Sequence, residues 1–371
     1  MVDDPSSVSE RIAEVRASHP MVGHLRLALG PCVVEVAANR AAVLSELGDY
    51  FAEFRAADGA RPQIRISVID APPTDLGLAY TIKQPDPGKN KIKEEYAELP
   101  GGRAVRKRLT DMLFLFGRDE HLAYGPCAAN LNQVVNFVNN RFIQWCLDRG
   151  HLLGHAAGVT LSGRGLALAG FSGMGKSTLA LALMSLGATF VSNDRLMIRR
   201  ATSGLEMTGV AKLPRVNPGT LLNNAALADV MPRDARRRAE RLPNDELWTL
   251  EQKYDVPIDS CFGAGRFVLR APLHGLAILN WQRGCAPLLI RQVSLAERPD
   301  LLGAFTKAPG LFYLPRAGAS PSQHAEEAYL TALNGCPVYE LTGGVDFPVA
   351  ARELPRVLSA ASRGSACGGA L

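Results

Sequence analysis

No cysteine in this chain belongs to a C-x-x-C pair, and no group of cysteines and histidines has the spacing of a zinc site. The seven cysteines, Cys32, Cys127, Cys146, Cys261, Cys285, Cys336 and Cys367, are scattered and odd in number. That pattern predicts reduced thiols in a cytoplasmic protein, not a disulfide framework. Charge of one sign is also scarce. The 41 Lys and Arg against 36 Asp and Glu leave a formal +5 over 371 residues, which is too weak to imply a nucleic-acid partner and suits an enzyme that handles an anionic nucleotide. Long apolar runs are missing too: the longest, such as 179–186, are far short of a membrane span. Residues 1–20 carry Asp3 and Asp4 and lack the continuous apolar core of a signal peptide. The expectation is a soluble intracellular protein with no membrane partner.

What is present is ordinary globular composition, 47% hydrophobic and 21% charged, which excludes wholesale disorder. The length allows one large or two medium domains. Short apolar runs at 25–29 and 32–37 flank Gly30-Pro31 and predict a hairpin. Residues 38–54 have helical spacing, 63–69 alternate like a strand, 83–108 read as a polar loop and hairpin, and 112–117 and 121–125 read as strands. A helix is expected over 130–147, with Gly150 at its C-terminal cap. These elements predict a small α+β N-terminal domain, 1–128, followed by an α/β domain, 129–361, and a disordered Gly/Ala-rich tail, 362–371. Within the second domain, strands are expected at 156–161, 166–169, 189–191, 196–200, 205–210, 267–269, 276–280, 288–293 and 338–341. Helices are expected at 176–186, 233–241, 320–333 and 350–360.

The strongest signal is Gly170-Phe171-Ser172-Gly173-Met174-Gly175-Lys176-Ser177, which fits G-x-x-x-x-G-K-[ST] at every position. It follows an expected strand and opens an expected helix, which is the context a P-loop requires. Glycines let successive N–H groups turn toward phosphate oxygens, and the helix that follows directs its positive end at the same anion. Residues 170–178, through Thr178, are therefore candidates for binding ATP. Lys176 would reach the β- and γ-phosphates, and Ser177 would be a ligand of Mg²⁺.

Asp194 follows Lys176 by one helix, one turn and one strand, so it emerges at a strand end beside the loop. There it can support Mg²⁺, accept a proton from an attacking hydroxyl, or simply cap a loop. His155 heads the strand expected to lie alongside the loop strand, and alone it is as well explained as a structural residue. Arg215, in the turn Lys212-Leu-Pro-Arg215-Val-Asn217-Pro-Gly219, can clamp a phosphoryl group or stabilise the turn. The five arginines between Arg233 and Arg241 form either a solvated helix face or a dock for an acidic partner.

Taken together, His155-Ala-Ala-Gly-Val-Thr-Leu-Ser-Gly-Arg-Gly-Leu-Ala-Leu-Ala-Gly-Phe-Ser-Gly-Met-Gly-Lys-Ser-Thr and Phe190-Val-Ser-Asn-Asp194 resemble the catalytic core of the HPr kinase/phosphorylase superfamily. The nearer resemblance is to its divergent HPr-kinase-related kinases, over residues 151–220. It implies a P-loop nucleotide-binding core of HPr-kinase type. It also implies His155 and Lys176 acting at the transferred phosphate, Asp194 as the base, Ser177 as a metal ligand, and a second metal-binding acid on a later strand, for which Glu206 is the candidate. Three departures stand out: Asn193 replaces the first acid of the family's pair, the segment around Glu206 is altered, and no arginine-rich loop for a reverse reaction is found. The expected activity is ATP- and Mg²⁺-dependent transfer to a hydroxyl, a seryl one by the resemblance, on a protein, peptide or small molecule. A nucleotide-gated scaffold and a plain NTPase are the alternatives, and homo-oligomerisation is left open.

Overall fold

Ser7 forms a capping box, its hydroxyl accepting from the Glu10 amide while the Glu10 carboxylate accepts from the Ser7 amide, and so fixes the start of α1 (Val8–Ala17). The computed structural model describes residues 6–57, 59–85, 90–284, 286–315 and 326–366. Strands β1 (Gly23–Leu29) and β2 (Cys32–Ala38) pair antiparallel in the expected hairpin, with Leu25, Leu27, Leu29, Val34 and Val36 buried. After α2 (Ala41–Tyr50), β3 (Ile64–Asp70) returns parallel to β2. The strands β4 (Thr81–Ile82), β5 (Glu94–Leu99), β6 (Gly102–Lys107), β7 (Met112–Phe116) and β8 (His121–Gly125) complete an eight-stranded sheet, ordered β1-β2-β3-β8-β7-β6-β5-β4.

Every residue of β7 and β8 is buried, because both faces of this sheet are covered. Val8 and Ile12 of α1 pack with Ile69, Leu113, Leu115 and Leu122. Alternation sends Ile66 and Val68 to the opposite face, where α3 (Leu131–Leu147) packs on β2, β3 and α2. These elements form one compact unit, Met1–Arg149 with Pro309–Ala319. The boundary thus falls after α3, not before it at 128/129, because α3 closes the first sheet. Residues 311–315 are tied back to this unit by Arg103, which donates to Leu311 and Tyr313 carbonyls, by Arg141 on the Phe312 carbonyl, and by Gln144 on both backbone groups of Leu314.

The second unit is Gly150–Ala308 with Ser320–Leu371. It opens with β9 (Leu152–Gly154), β10 (Ala156–Leu161) and β11 (Arg164–Gly170), then α4 (Lys176–Ser185) and β12 (Thr189–Ser192). The next pair, β13 (Leu196–Ala201) and β14 (Gly204–Thr208), is antiparallel as expected. A polar excursion follows: β15 (Arg215–Val216), α5 (Pro218–Leu222), α6 (Arg233–Ala239), α7 (Asn244–Thr249), β16 (Tyr254–Asp255) and α8 (Ile258–Phe262). The chain closes with β17 (Arg270–Pro272), β18 (Gly275–Leu279), β19 (Leu289–Val293), α9 (Glu326–Leu333), β20 (Val338–Thr342) and α10 (Phe347–Ala366).

The main sheet is ordered β12-β10-β11-β18-β20-β19, with β11, β18 and β20 mutually parallel at its centre. A second sheet, β17-β14-β13-β9, packs its apolar face on the first through Met207, Leu196 and Ile198. Helix α4 lies between β10–β11 and α10, which explains its all-round apolar sequence. Two expectations are corrected here, and a third is tested only in part. Residues 267–269 contribute only a bridge from Phe267 to Phe190, and the strand proper is β17. Helix α10 extends to Ala366, five residues into the stretch expected to be disordered, and 367–371 lie outside the described residues. Of the helix expected over 320–333, residues 326–333 are helical and 320–325 lie outside the described residues.

Candidate functional site

The centre of the second unit's sheet ends in the glycine loop. β11 runs out at Gly170 beside Leu279 of β18, and α4 begins at Lys176. Gly175 has φ 85°, and a Cβ there would stand 2.5 Å from the Phe347 ring, so the position requires glycine on both counts. Gly173 also has φ 85° but faces open space, with nothing within 4 Å of a built Cβ. The loop is braced from behind. Trp281, buried, donates Nε1–H to the Met174 carbonyl at 3.0 Å and meets Phe347 edge to face, centroids 5.2 Å apart. No side chain caps α4, so its first-turn amides are left for water or a ligand. Phe171 is half-exposed on the crown of the loop.

Lys176 folds back over this loop, donating to the carbonyls of Gly170 at 2.6 Å and Phe171 at 3.2 Å. Burial lowers its pKa to about 8, with Asp194 opposing the shift and Lys307 adding to it. Ser177 is half-buried in the first turn. Thr178 is engaged elsewhere, its hydroxyl 2.8 Å from that of Thr220 on α5.

His155 and Asp194, 39 residues apart, form a pair: His155 Nε2 lies 3.0 Å from Asp194 Oδ1. The pairing follows from strand register. Leu196 of β13 is opposite Gly154 of β9, so the residues that flank this pair meet at the sheet end. A third group, Lys307, places Nζ 3.7 Å from Asp194 Oδ2. Burial pushes the Asp194 carboxyl up, but the His155 hydrogen bond, Lys307 and the charges of His155 and Arg195 outweigh it and hold it well below the usual carboxylate range. Lys212 stands within reach of the same field. Burial lowers its pKa, Arg195 and Arg215 lower it further, and Asp194 and Asp255 oppose them. Next to Asp194, Asn193 Oδ1 is buried with no hydrogen-bond partner.

Two candidates have partners of their own. Arg215 pairs with Asp255 at 3.0 Å and reaches the Lys253 carbonyl at 3.4 Å across the β15–β16 ribbon. Glu206 is opposite Arg199 on β13, three residues along the strand from Leu196 and so about 10 Å from the end where Leu196 meets Gly154. Its carboxylate takes Arg270 Nη2 at 2.8 Å and lies 3.9 Å from Arg199, and the Arg270 hydrogen bond lowers its pKa. Among the described residues no cluster of three or more His, Cys, Asp or Glu could hold a metal ion, and no helix is long and apolar enough to cross a membrane. The arginines of α6 lie on an exposed helix as expected, with only Ala235 and Ala239 buried.

Lys307, Trp281 and Phe347 were not indicated by the sequence. Lys307 sits in Ala-Phe-Thr-Lys-Ala-Pro, which carries no motif, and arrives 131 residues after Lys176 (307 − 176).

The chain shows a distant structural likeness to the Hpr(Ser) kinase/phosphatase from Coxiella burnetii, at 13% identity, with 58% of this chain and 95% of that one covered and a TM-score of 0.31. No family model and no curated relative matches.

Proposed function

We propose that the second unit is a P-loop phosphotransferase that moves the γ-phosphate of ATP to a hydroxyl on a protein, peptide or small molecule. The observation that carries this reading is the His155–Asp194 pair beside Lys176, because a bare phosphate-binding loop has no use for a proton acceptor held at its mouth. The glycine loop fits a triphosphate: it has uncapped helix amides, open space over Gly173 and a lysine already inside the loop. The oxygens near it, those of Ser177 in the first turn of α4 and of Asp194 in the field of Lys176, suit Mg²⁺, which takes few protein ligands and completes its shell with water and phosphates. Mg²⁺ bound there would neutralise phosphate charge.

In this mechanism Lys176 leaves the loop carbonyls for the phosphates, which restores its full charge. His155 and Lys176 stabilise the transferred group, and Asp194 accepts the acceptor's proton. A carboxylate of depressed pKa is a weak base, and that suffices where proton loss comes late, as in a loose phosphoryl-transfer transition state. Phosphate charge held beside the carboxylate would raise its proton affinity. Glu206 and Arg215 have no part in this scheme.

The test is single-turnover transfer from γ-labelled ATP to acceptors in a size-fractionated lysate, for the wild type and Asp194→Asn. Label that moves in the wild type and is lost in the variant supports the kinase. ATP binding without any transfer would leave the scaffold reading, which the amide at Asn193 favours.

A further inference from the structure

Residues 305–307 reach the site as an added edge beside β9. The His155 amide donates to the Phe305 carbonyl at 2.5 Å, Thr306 bridges to Gly154, and the Lys307 amide donates to the Leu153 carbonyl at 3.2 Å. The Phe305 ring packs where a Gly154 side chain would be, 2.5 Å from a built Cβ. The backbone that presents His155 therefore also presents Lys307. The two side chains take different oxygens of Asp194, His155 on Oδ1 and Lys307 on Oδ2. The Lys307 contact is long, 3.7 Å, and the carboxylate is 51% exposed, so water screens it and little holds the ammonium in place. A terminal phosphate carries more charge than a carboxylate and offers more acceptor oxygens.

We propose that Lys307 contacts the γ-phosphate: it exchanges Asp194 Oδ2 for the terminal phosphate of a bound nucleoside triphosphate, and so bares the carboxylate only when there is a phosphoryl group to transfer. The proposal rests on the phosphate site of the preceding section, though not on turnover. During transfer the acceptor oxygen bonds to the γ-phosphorus and the bond from that phosphorus to the bridging oxygen of ADP breaks. The acceptor's proton passes to Asp194, and Lys307 keeps its own protons throughout. A diphosphate leaves Lys307 on Asp194, which makes the exchange a discriminator between ATP and ADP.

The experiment is calorimetric titration of ATP and of ADP, each with Mg²⁺, into the wild type, Lys307→Met and Lys307→Arg. Lys307→Met should weaken ATP binding about tenfold or more, as expected for loss of a charge-assisted hydrogen bond, and leave ADP binding nearly unchanged. Lys307→Arg should recover most of the preference. Equal losses for both nucleotides, or none, would overturn the proposal, and equal losses with a lowered unfolding midpoint would assign Lys307 to holding the 305–307 edge. Wild type that binds ATP through Lys307 yet transfers no label sinks the kinase reading alone. Transfer with an unchanged ATP-to-ADP ratio in Lys307→Met sinks this proposal alone, and binding of neither nucleotide sinks both.

Discussion

His155 Nε2 lies 3.0 Å from Asp194 Oδ1, and the distance is set by the opposition of Leu196 and Gly154 across β13 and β9. Two residues with ordinary individual explanations thereby become one unit. Groups that act together lose activity together. Asp194→Asn should lower single-turnover transfer by about 10²–10⁴-fold, the usual contribution of general-base catalysis, and His155→Gln should lower it as well. The double variant should be little worse than Asp194→Asn alone. Losses that multiply would show that the two residues work independently.

Lys176 predicts a pH dependence of binding. Its pKa is lowered to about 8 in the free protein, by burial first, and phosphate will raise it. Below about pH 7 the ammonium is charged in both states, so affinity is flat. Above pH 8 the free protein has lost the proton that the complex needs, and affinity should fall by up to about tenfold per pH unit. Binding at pH 8 should take up roughly half a proton, measurable by calorimetry in buffers of different ionisation enthalpy. Proton release, or none, would contradict the lowered pKa.

Gly175→Ala should destabilise the second unit. A non-glycine residue at φ 85° costs about 1–2 kcal/mol, and the new methyl group meets the Phe347 ring besides. The two costs are separable: Phe347→Ala in the same chain removes the steric part and leaves the backbone part. Denaturant midpoints of the single and double variants would show this partial recovery, and an additive loss would mean that Phe347 does not press on the loop.

What the sequence made legible is local. The strand, glycine loop and helix of 164–185 are contiguous, so periodicity and spacing suffice to place Lys176, and one further strand places Asp194. The position of His155 is also a matter of counting, but its contact with Asp194 is not, because it depends on the β9–β13 register. Lys307 and the Trp281–Phe347 brace come from segments more than 100 residues beyond the loop, and only tertiary pairing brings them in. Glu206 shows the converse. The sequence puts it on the correct strand, but Arg270 from β17 and Arg199 from β13 occupy its carboxylate, and no local pattern announces either. In the first unit β1, β2, β3, β7 and β8 were legible, β5 and β6 only as a polar loop and hairpin, and α1 and β4 not at all, whereas the return of 311–315 to it depends on Arg103, Arg141 and Gln144 side chains reaching across the chain.

Ser177 and Glu206 should now part company in their metal dependence. Both were candidates for holding Mg²⁺, yet Ser177 sits in the first turn of α4 beside Lys176, while Glu206 is bound to two arginines and pairs with Arg199, about 10 Å along β13 from Leu196. Ser177→Ala removes an oxygen suited to Mg²⁺ and nothing else of consequence. It should raise the Mg²⁺ concentration needed for half-maximal transfer while changing metal-free nucleotide affinity little. Glu206→Gln should leave that Mg²⁺ requirement as in the wild type. Its effect should appear in stability instead, as a modest lowering of the unfolding midpoint, because Arg270 loses a partly exposed ion pair of the kind worth at most about 1 kcal/mol. The informative measurement is transfer rate against free Mg²⁺ for the three proteins, beside their thermal midpoints. A raised Mg²⁺ requirement in Glu206→Gln would return that residue to the metal site and require β14 to rearrange when nucleotide binds. A parallel loss of metal-free affinity in Ser177→Ala would make its hydroxyl a phosphate contact, leaving Asp194 as the nearest protein ligand for the ion.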